Sequence, residues 1–247
     1  MLYLYSVLRN AKNLNPNILF RCVKVTNKIL QVLAQIGLLS LCNQTKPIEI
    51  TRDDVKFWRF CCGKQIIGNK FDNIVPLDDR FHKIPSDADL YGACIEATKN
   101  VIRHAYCEKN NIIKVAHQKE AWWCFSQIKD NRLIVIVCDL GVTIPYTLPK
   151  NMPNLISFLQ RKNFNELSDS QMIFSAIQYS RSRTENFNRG NGLNKIAEIA
   201  KIKNGIVSIQ SRHGCVTCRE NSSYYNIDFK IPVLGTIIYW SLPLGDD

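Results

Sequence analysis

Glu96, Asn100 and His104 stand four apart in the stretch EATKNVIRHAY, which runs from Glu96 to Tyr106. A helix turns about 100° per residue, so a carboxylate, an amide and an imidazole at this spacing share one slowly drifting face. The apolar Ala93, Ala97, Val101 and Ala105 lie beside them. An acid, an amide and an imidazole on one face could act together on a bound ligand or only line the surface. On an isolated helix the same stripe is more often a solvated face with weak local pairing, so the rest of the chain has to decide.

Two glycine turns add to the stripe. In DLGVTIP, Asp139 follows the apolar run RLIVIVC, so a carboxylate is held at a strand end, and Gly141 lets a backbone or a ligand approach without meeting a Cβ. In RGNGL, Gly190 and Gly192 sit just before a helix, where unsatisfied N–H groups and the positive helix end face an anion such as phosphate. Taken singly, an Asx turn explains the first and an ordinary loop-to-helix turn the second. HGCVTC brings His213, Cys215 and Cys218 within six residues. A closed zinc site needs four ligands, and the adjacent Cys61 and Cys62 are not spaced to complete it, so a hairpin with incidental thiols is expected there.

These groups need elements to hold them. KILQVLAQIGLLSLCN carries Ile29, Val32, Leu33 and Ile36 at helical spacing and is expected to end near Gly37 or Asn43. KPIEIT reads as a short strand and DDVKFWRFCC as a helix, together a small β/α unit, and the turn-rich stretch from Gly63 to Asp87 reads as a linker. Ser86 to Asp89 offer N-caps for the helix carrying the stripe. WWCFSQIKD and NRLIVIVCDLG are strands joined by hairpin chemistry at Lys129–Arg132. Short helices are expected around 155–161 and 169–179, within polar connections read as movable. A glycine turn then feeds a helix stopping at Gly205, and the runs GIVSIQS, YYNIDFKI and GTIIYWSLPL follow as strands.

Composition narrows the classes. A chain of 247 residues with 46% hydrophobic content can bury a full core. It has no apolar run long enough for a membrane helix and no signal-peptide pattern at MLYLYSVLRN, so a cytoplasmic location is expected. The ten cysteines are scattered, several within apolar segments, and are expected to be reduced. The net charge of +11 raises nucleic-acid binding, but Lys and Arg form no dense run and no nucleic-acid motif appears.

In this order, with an E-x-x-x-N helix, a strand ending in D-x-G, a variable segment, G-x-G-L opening a helix, and closing strands with G-T, the chain resembles the GHKL family of Bergerat-fold ATPases. That family includes gyrase-type topoisomerase subunits, heat-shock chaperones, sensor histidine kinases and mismatch-repair ATPases. The resemblance covers about Asp87 to Leu244. It implies a two-layer α/β sandwich at 76–247 that binds ATP with Mg²⁺ under a lid at about Thr147–Asn188, preceded at 1–75 by a small α/β accessory module, loosely STAS-like, and linker. By the resemblance, Glu96 orients or deprotonates the attacking water and Asn100 binds Mg²⁺. Arg103 and His104 stand near a phosphate. Asp139 accepts from the adenine amino group beside Gly141, Thr236 reaches toward that base-binding carboxylate through water, and Gly190, Gly192 and Leu193 wrap the phosphates. Thr143 departs from the family's second glycine in D-x-G-x-G.

The SRT-like segment YSRSRTENFNRGNGL and the HAY ending are similar to anti-sigma and STAS-associated kinases. Lacking a dimerising hairpin with a phosphoacceptor histidine ahead of the ATPase region, and with the chain ending soon after Leu244, it is not expected to be a histidine autokinase or to use a lysine from a following domain. The expectation is an ATP-binding regulator with slow Mg²⁺-dependent hydrolysis that controls a protein partner. The alternatives are a serine/threonine protein kinase of partner-switching type, a non-catalytic nucleotide-binding adaptor and a basic nucleic-acid-binding protein.

Overall fold

In the run WWCFSQ, residues pointing to either side of a strand are apolar, and a strand apolar on both faces needs cover on both. The computed structural model, which describes residues 1–44, 46–56, 58–66, 71, 74, 87–106, 121–151, 167–182 and 192–244, supplies both covers. The class is α/β, with a five-stranded open sheet in the order β1-β2-β3-β5-β4 and every pair antiparallel. The strands are β1 (Arg59–Gly63), β2 (Trp122–Lys129), β3 (Arg132–Asp139), β4 (Ile206–Arg219) and β5 (Tyr224–Pro243).

On one face lie α5 (Asp87–Asn100), α7 (Asp169–Ser182) and α8 (Gly192–Ile202), packed on Trp122, Cys124, Val135, Val137 and Trp240. On the other lie α1 (Leu2–Leu14), α2 (Asn27–Gln35) and α3 (Leu38–Leu41), which cover Trp123, Phe125, Cys138 and Leu140. The expected two-layer sandwich is thus three layers over β2 and β3. Trp122 and Trp123 are 0% and 1% exposed on opposite faces, and a two-layer arrangement would leave one of them in water. A short α4 (Asp53–Lys56) leads into β1, and α6 (Ile144–Asn151) follows β3.

Local chemistry explains several element ends. Thr26 caps α2 by accepting from the Ile29 N–H, and Gly37, at φ +75°, turns the chain into α3. Asp130 and Asn131, at φ 52° and 53°, form the two-residue β2–β3 turn, the conformation that matches strand twist. Beyond Ile202, Asn204 takes φ 49° and the Gly205 N–H reaches back to the Ala200 carbonyl, ending α8 as expected.

Three expectations are corrected. KPIEIT forms no strand; instead the Gln31 side chain accepts from the N–H groups of Thr51 and Arg52. The helix expected over DDVKFWRFCC stops at Lys56, and RFCCG becomes edge strand β1 because Cys61 pairs opposite Cys124 and Phe60 packs on Tyr5. The three late runs are two long strands, with HGCVTC inside β4. Along a strand Cys218 faces away from His213 and Cys215, and among the described residues no group of His, Cys, Asp and Glu could hold a metal. Among the described residues, no helix is long and apolar enough to cross a membrane.

Candidate functional site

Helix α5 tightens no further at Asn100; it widens into a π-helical turn over Val101–Ala105, a form met often at functional positions. Its stripe does not face open water. A Cβ built on Gly192, the first residue of α8, would lie 3.2 Å from Asn100 Oδ1 and 3.4 Å from Glu96 Oε2. The α8 N-terminus thus lies against the acid and the amide together, and a Cβ at Gly192 would need the Asn100 amide to give by a few tenths of an ångström. Lys99 donates to Glu96 Oε1 at 2.7 Å, leaving Oε2 as the oxygen beside Gly192. Asn100 Nδ2 is buried with no hydrogen-bond partner among the described residues.

Asp139 ends β3 at 3% exposure. Its Oδ1 accepts from the Gly141 N–H at 2.8 Å. Burial pushes this carboxyl up to about 7, against the opposing pull of the Gly141 and Thr236 backbone N–H groups. Gly235, at φ +70°, allows the approach: a Cβ there would overlap the Asp139 backbone carbonyl and sit 2.7 Å from Oδ1. Thr236, 8% exposed, places its hydroxyl 3.0 Å from that of Ser211. Ser211 also donates to the Gly235 carbonyl and accepts from the Ile144 N–H, tying β4, β5 and the start of α6 to one hydroxyl.

The two clusters are joined. A Cβ on Gly141 would overlap the Ala105 carbonyl, and that carbonyl accepts from the Val142 N–H at 2.7 Å. The buried Tyr106 hydroxyl accepts from the Leu140 N–H at 3.0 Å and donates to the Ala121 carbonyl at 2.9 Å. Burial, with the Asp139 charge next, pushes this phenol far above its usual value, so it stays a neutral donor. The end of the α5 π-turn and the D-x-G turn are therefore one mechanical unit.

The structure thus brings Glu96, Asn100 and Gly192 into one cluster and Asp139, Gly141 and Thr236 into another, linked through Ala105 and Tyr106. Arg103 and His104 lie at the surface of the π-turn, where loss of solvent and then the Arg103 charge lower the imidazole. Leu193 packs with Leu148 and Ala176, a structural duty. Gly190 lies outside the described residues, as do 152–166 and 183–188 of the expected lid. Within that segment α7 is core, with Ile173, Ala176 and Ile177 at 0% exposure, so 147–188 is not one movable piece. Thr143 is absent from the positive-φ residues, and its carbonyl accepts from the Thr147 N–H at the start of α6, so a Cβ is accommodated there.

Sequence reasoning missed Tyr106, Ser211 and Gly235. The G-T pair and the HAY ending were the available signals for two of them, while Ser211 carried none. A groove of about 270 Å³ lined by Ala34, Gly37, Leu39, Gln44, Pro47 and Ile50, among others, is a separate feature and includes none of the site residues. No protein-family model and no curated protein matches the chain.

Proposed function

We propose that the chain is a Bergerat-type ATP-binding regulator of the GHKL kind, which binds Mg-ATP between α5, the β3–α6 turn and the start of α8 and hydrolyses it slowly to control a protein partner. The observation that carries this reading is the pair of clusters on one rigid tie. A buried carboxylate at a glycine turn is set by the same helix end that holds an amide and an acid against a glycine helix start.

In this reading Asp139 accepts from the adenine amino group, which supplies the partner that its buried carboxylate otherwise finds only in backbone N–H groups. Gly141, having no Cβ, lets the Ala105 carbonyl close on the turn, which fixes the Asp139 carboxylate against the helix end. The unpartnered amide of Asn100 fits a hard-cation role, since its oxygen can be turned to Mg²⁺ without breaking a bond in the described structure. Mg²⁺ supplies charge neutralisation on the phosphates. Glu96 holds and deprotonates water through Oε2, and the N–H groups opening α8 receive phosphate oxygens.

The adaptor reading has one observation in its favour: Glu96 already has an in-chain cation, Lys99, on one oxygen. Calorimetric titration of the full chain with Mg-ATP and with Mg-GTP tests the proposal, with adenine-selective binding and slow phosphate release expected. Absence of binding, or equal affinity for both nucleotides, ends it, and selective binding without phosphate release leaves the adaptor.

A further inference from the structure

The thiols of Cys22 and Cys42 lie 3.4 Å apart, Sγ to Sγ, and both residues are partly exposed. Cys22 sits in the extended segment before α2, and Cys42 follows directly on α3. Both pack at the edge of the helical layer that covers Trp123, Phe125 and Leu140. Cys61, Cys62 and Cys215 are partly exposed too, but the thiol that Cys61 meets, Cys124, is buried. Cys94 and Cys124 are 0% exposed and Cys138 is 1% exposed, so a dissolved oxidant does not reach them in the folded protein. Among the described residues, the Cys22–Cys42 pair thus combines contact with access. We propose that Cys22 and Cys42 form a reversible disulfide site, oxidised by a small-molecule disulfide of the glutathione type.

The chemistry balances without a metal or a further reductant. The Cys22 thiolate attacks one sulfur of glutathione disulfide, forming a mixed disulfide and releasing one glutathione thiolate. The Cys42 thiolate, its proton passed to solvent, then attacks the Cys22 sulfur and displaces the second glutathione. Two protein thiols lose two electrons and two protons, and one glutathione disulfide becomes two glutathiones. The order follows from the surroundings. Burial, then the hydrogen bond to Cys22, pushes the Cys42 thiol up to about 11, so Cys42 ionises rarely and serves as the resolving group. The sulfurs need to approach from 3.4 Å to about 2.05 Å, a movement available to Cys22 because its segment has no regular secondary structure.

The bond would close a loop between residues 20 positions apart, containing α2, the Gly37 turn and α3. By restricting the unfolded chain, a loop of that size raises the melting temperature by roughly 5 °C or more. The site is independent of nucleotide binding, so its test does not need ATP. The full chain is equilibrated with glutathione disulfide, its remaining thiols are alkylated, and it is digested without reductant for mass spectrometry.

The expected product is a peptide linking Cys22 to Cys42, an intact mass lower by two hydrogens with no glutathione retained, and complete reversal by dithiothreitol. Thermal unfolding should rise in the oxidised parent. In Cys42→Ser that rise should be lost, and glutathione should stay on Cys22 as a dead-end adduct. Separate glutathione adducts on both residues of the parent, links from either to another cysteine such as Cys107, or an unreactive Cys22 would each overturn the assignment. The parent's linkage map decides even if the serine variant folds poorly.

Discussion

Burial holds the Asp139 carboxyl up at about 7, and the N–H groups of Gly141 and Thr236 pull it only part of the way back. The folded state therefore binds this proton more tightly than the unfolded chain, where an aspartate titrates near 3.9. The stability from this group is complete below about pH 4 and is lost as pH rises through about 7. The span corresponds to roughly 4 kcal/mol. Asp139→Asn should flatten that dependence and make the nucleotide-free protein more resistant to urea at pH 8. An unaltered slope between pH 5 and pH 8 in the variant would remove this account. In the proposed ATP reading the adenine amino group donates best to the ionised carboxylate, so ATP affinity should weaken as pH falls below about 7, with a proton released on binding. Calorimetry in buffers of different ionisation enthalpy reads that proton directly.

Glu96 and Asn100 separate the functional readings. Glu96→Ala should keep Mg-ATP bound and lower phosphate release about 10²-fold, the usual share of a general base. Asn100→Ala should lose the Mg²⁺-dependent part of affinity, because the amide oxygen is the proposed ligand. If the stripe has only a structural part in the contact with Gly192, both variants leave nucleotide binding and phosphate release unchanged.

The element that matters most is the junction of the α5 π-turn with the D-x-G turn. Tyr106→Phe removes one hydroxyl and strands two buried backbone groups, the Leu140 N–H and the Ala121 carbonyl, which costs about 1–3 kcal/mol. Since the tie positions Asp139, ATP affinity should drop in the same variant; a urea midpoint equal to the parent's would show that water replaces the phenol. Gly141→Ala meets backbone rather than a yielding side chain, since its Cβ would fall on Ala105. It should destabilise by about 1–3 kcal/mol or more and separate the turn from the helix end. Equilibrium denaturation of the two variants ranks the contributions of hydrogen bonding and close packing at this junction.

Over the whole molecule, residues 1–63 supply the edge strand β1 and the helices covering the second face of the sheet. A fragment beginning at residue 76 would uncover Trp123, Phe125, Cys138 and Leu140 together. Such a contiguous apolar patch should make the fragment aggregate or bind hydrophobic dyes and lose cooperative unfolding. A soluble fragment with the parent's melting behaviour would show instead that 1–75 is a separable module. Unlike Asp139→Asn, this experiment probes the layering and leaves the site residues untouched.

What the sequence determined alone was whatever a few neighbouring residues decide among themselves. Asp130 and Asn131 tolerate positive φ and so close the β2–β3 hairpin, Gly37 ends the α2 region, Asn204 and Gly205 end α8, and the apolar spacing sets α2 and α8 themselves. Only tertiary structure decided that RFCCG is a strand, because its helical and extended options differ little until Cys124 offers a ladder. It also decided that the sheet has two covers and that α7 belongs to the core, since burial depends on what arrives from elsewhere in the chain. The site divides the same way. Glu96 and Asn100 are legible as one helix face, but their closure on Gly192, and the link from Tyr106 to Leu140 across 34 positions, exist only after long-range packing brings separate glycine turns against one helix end.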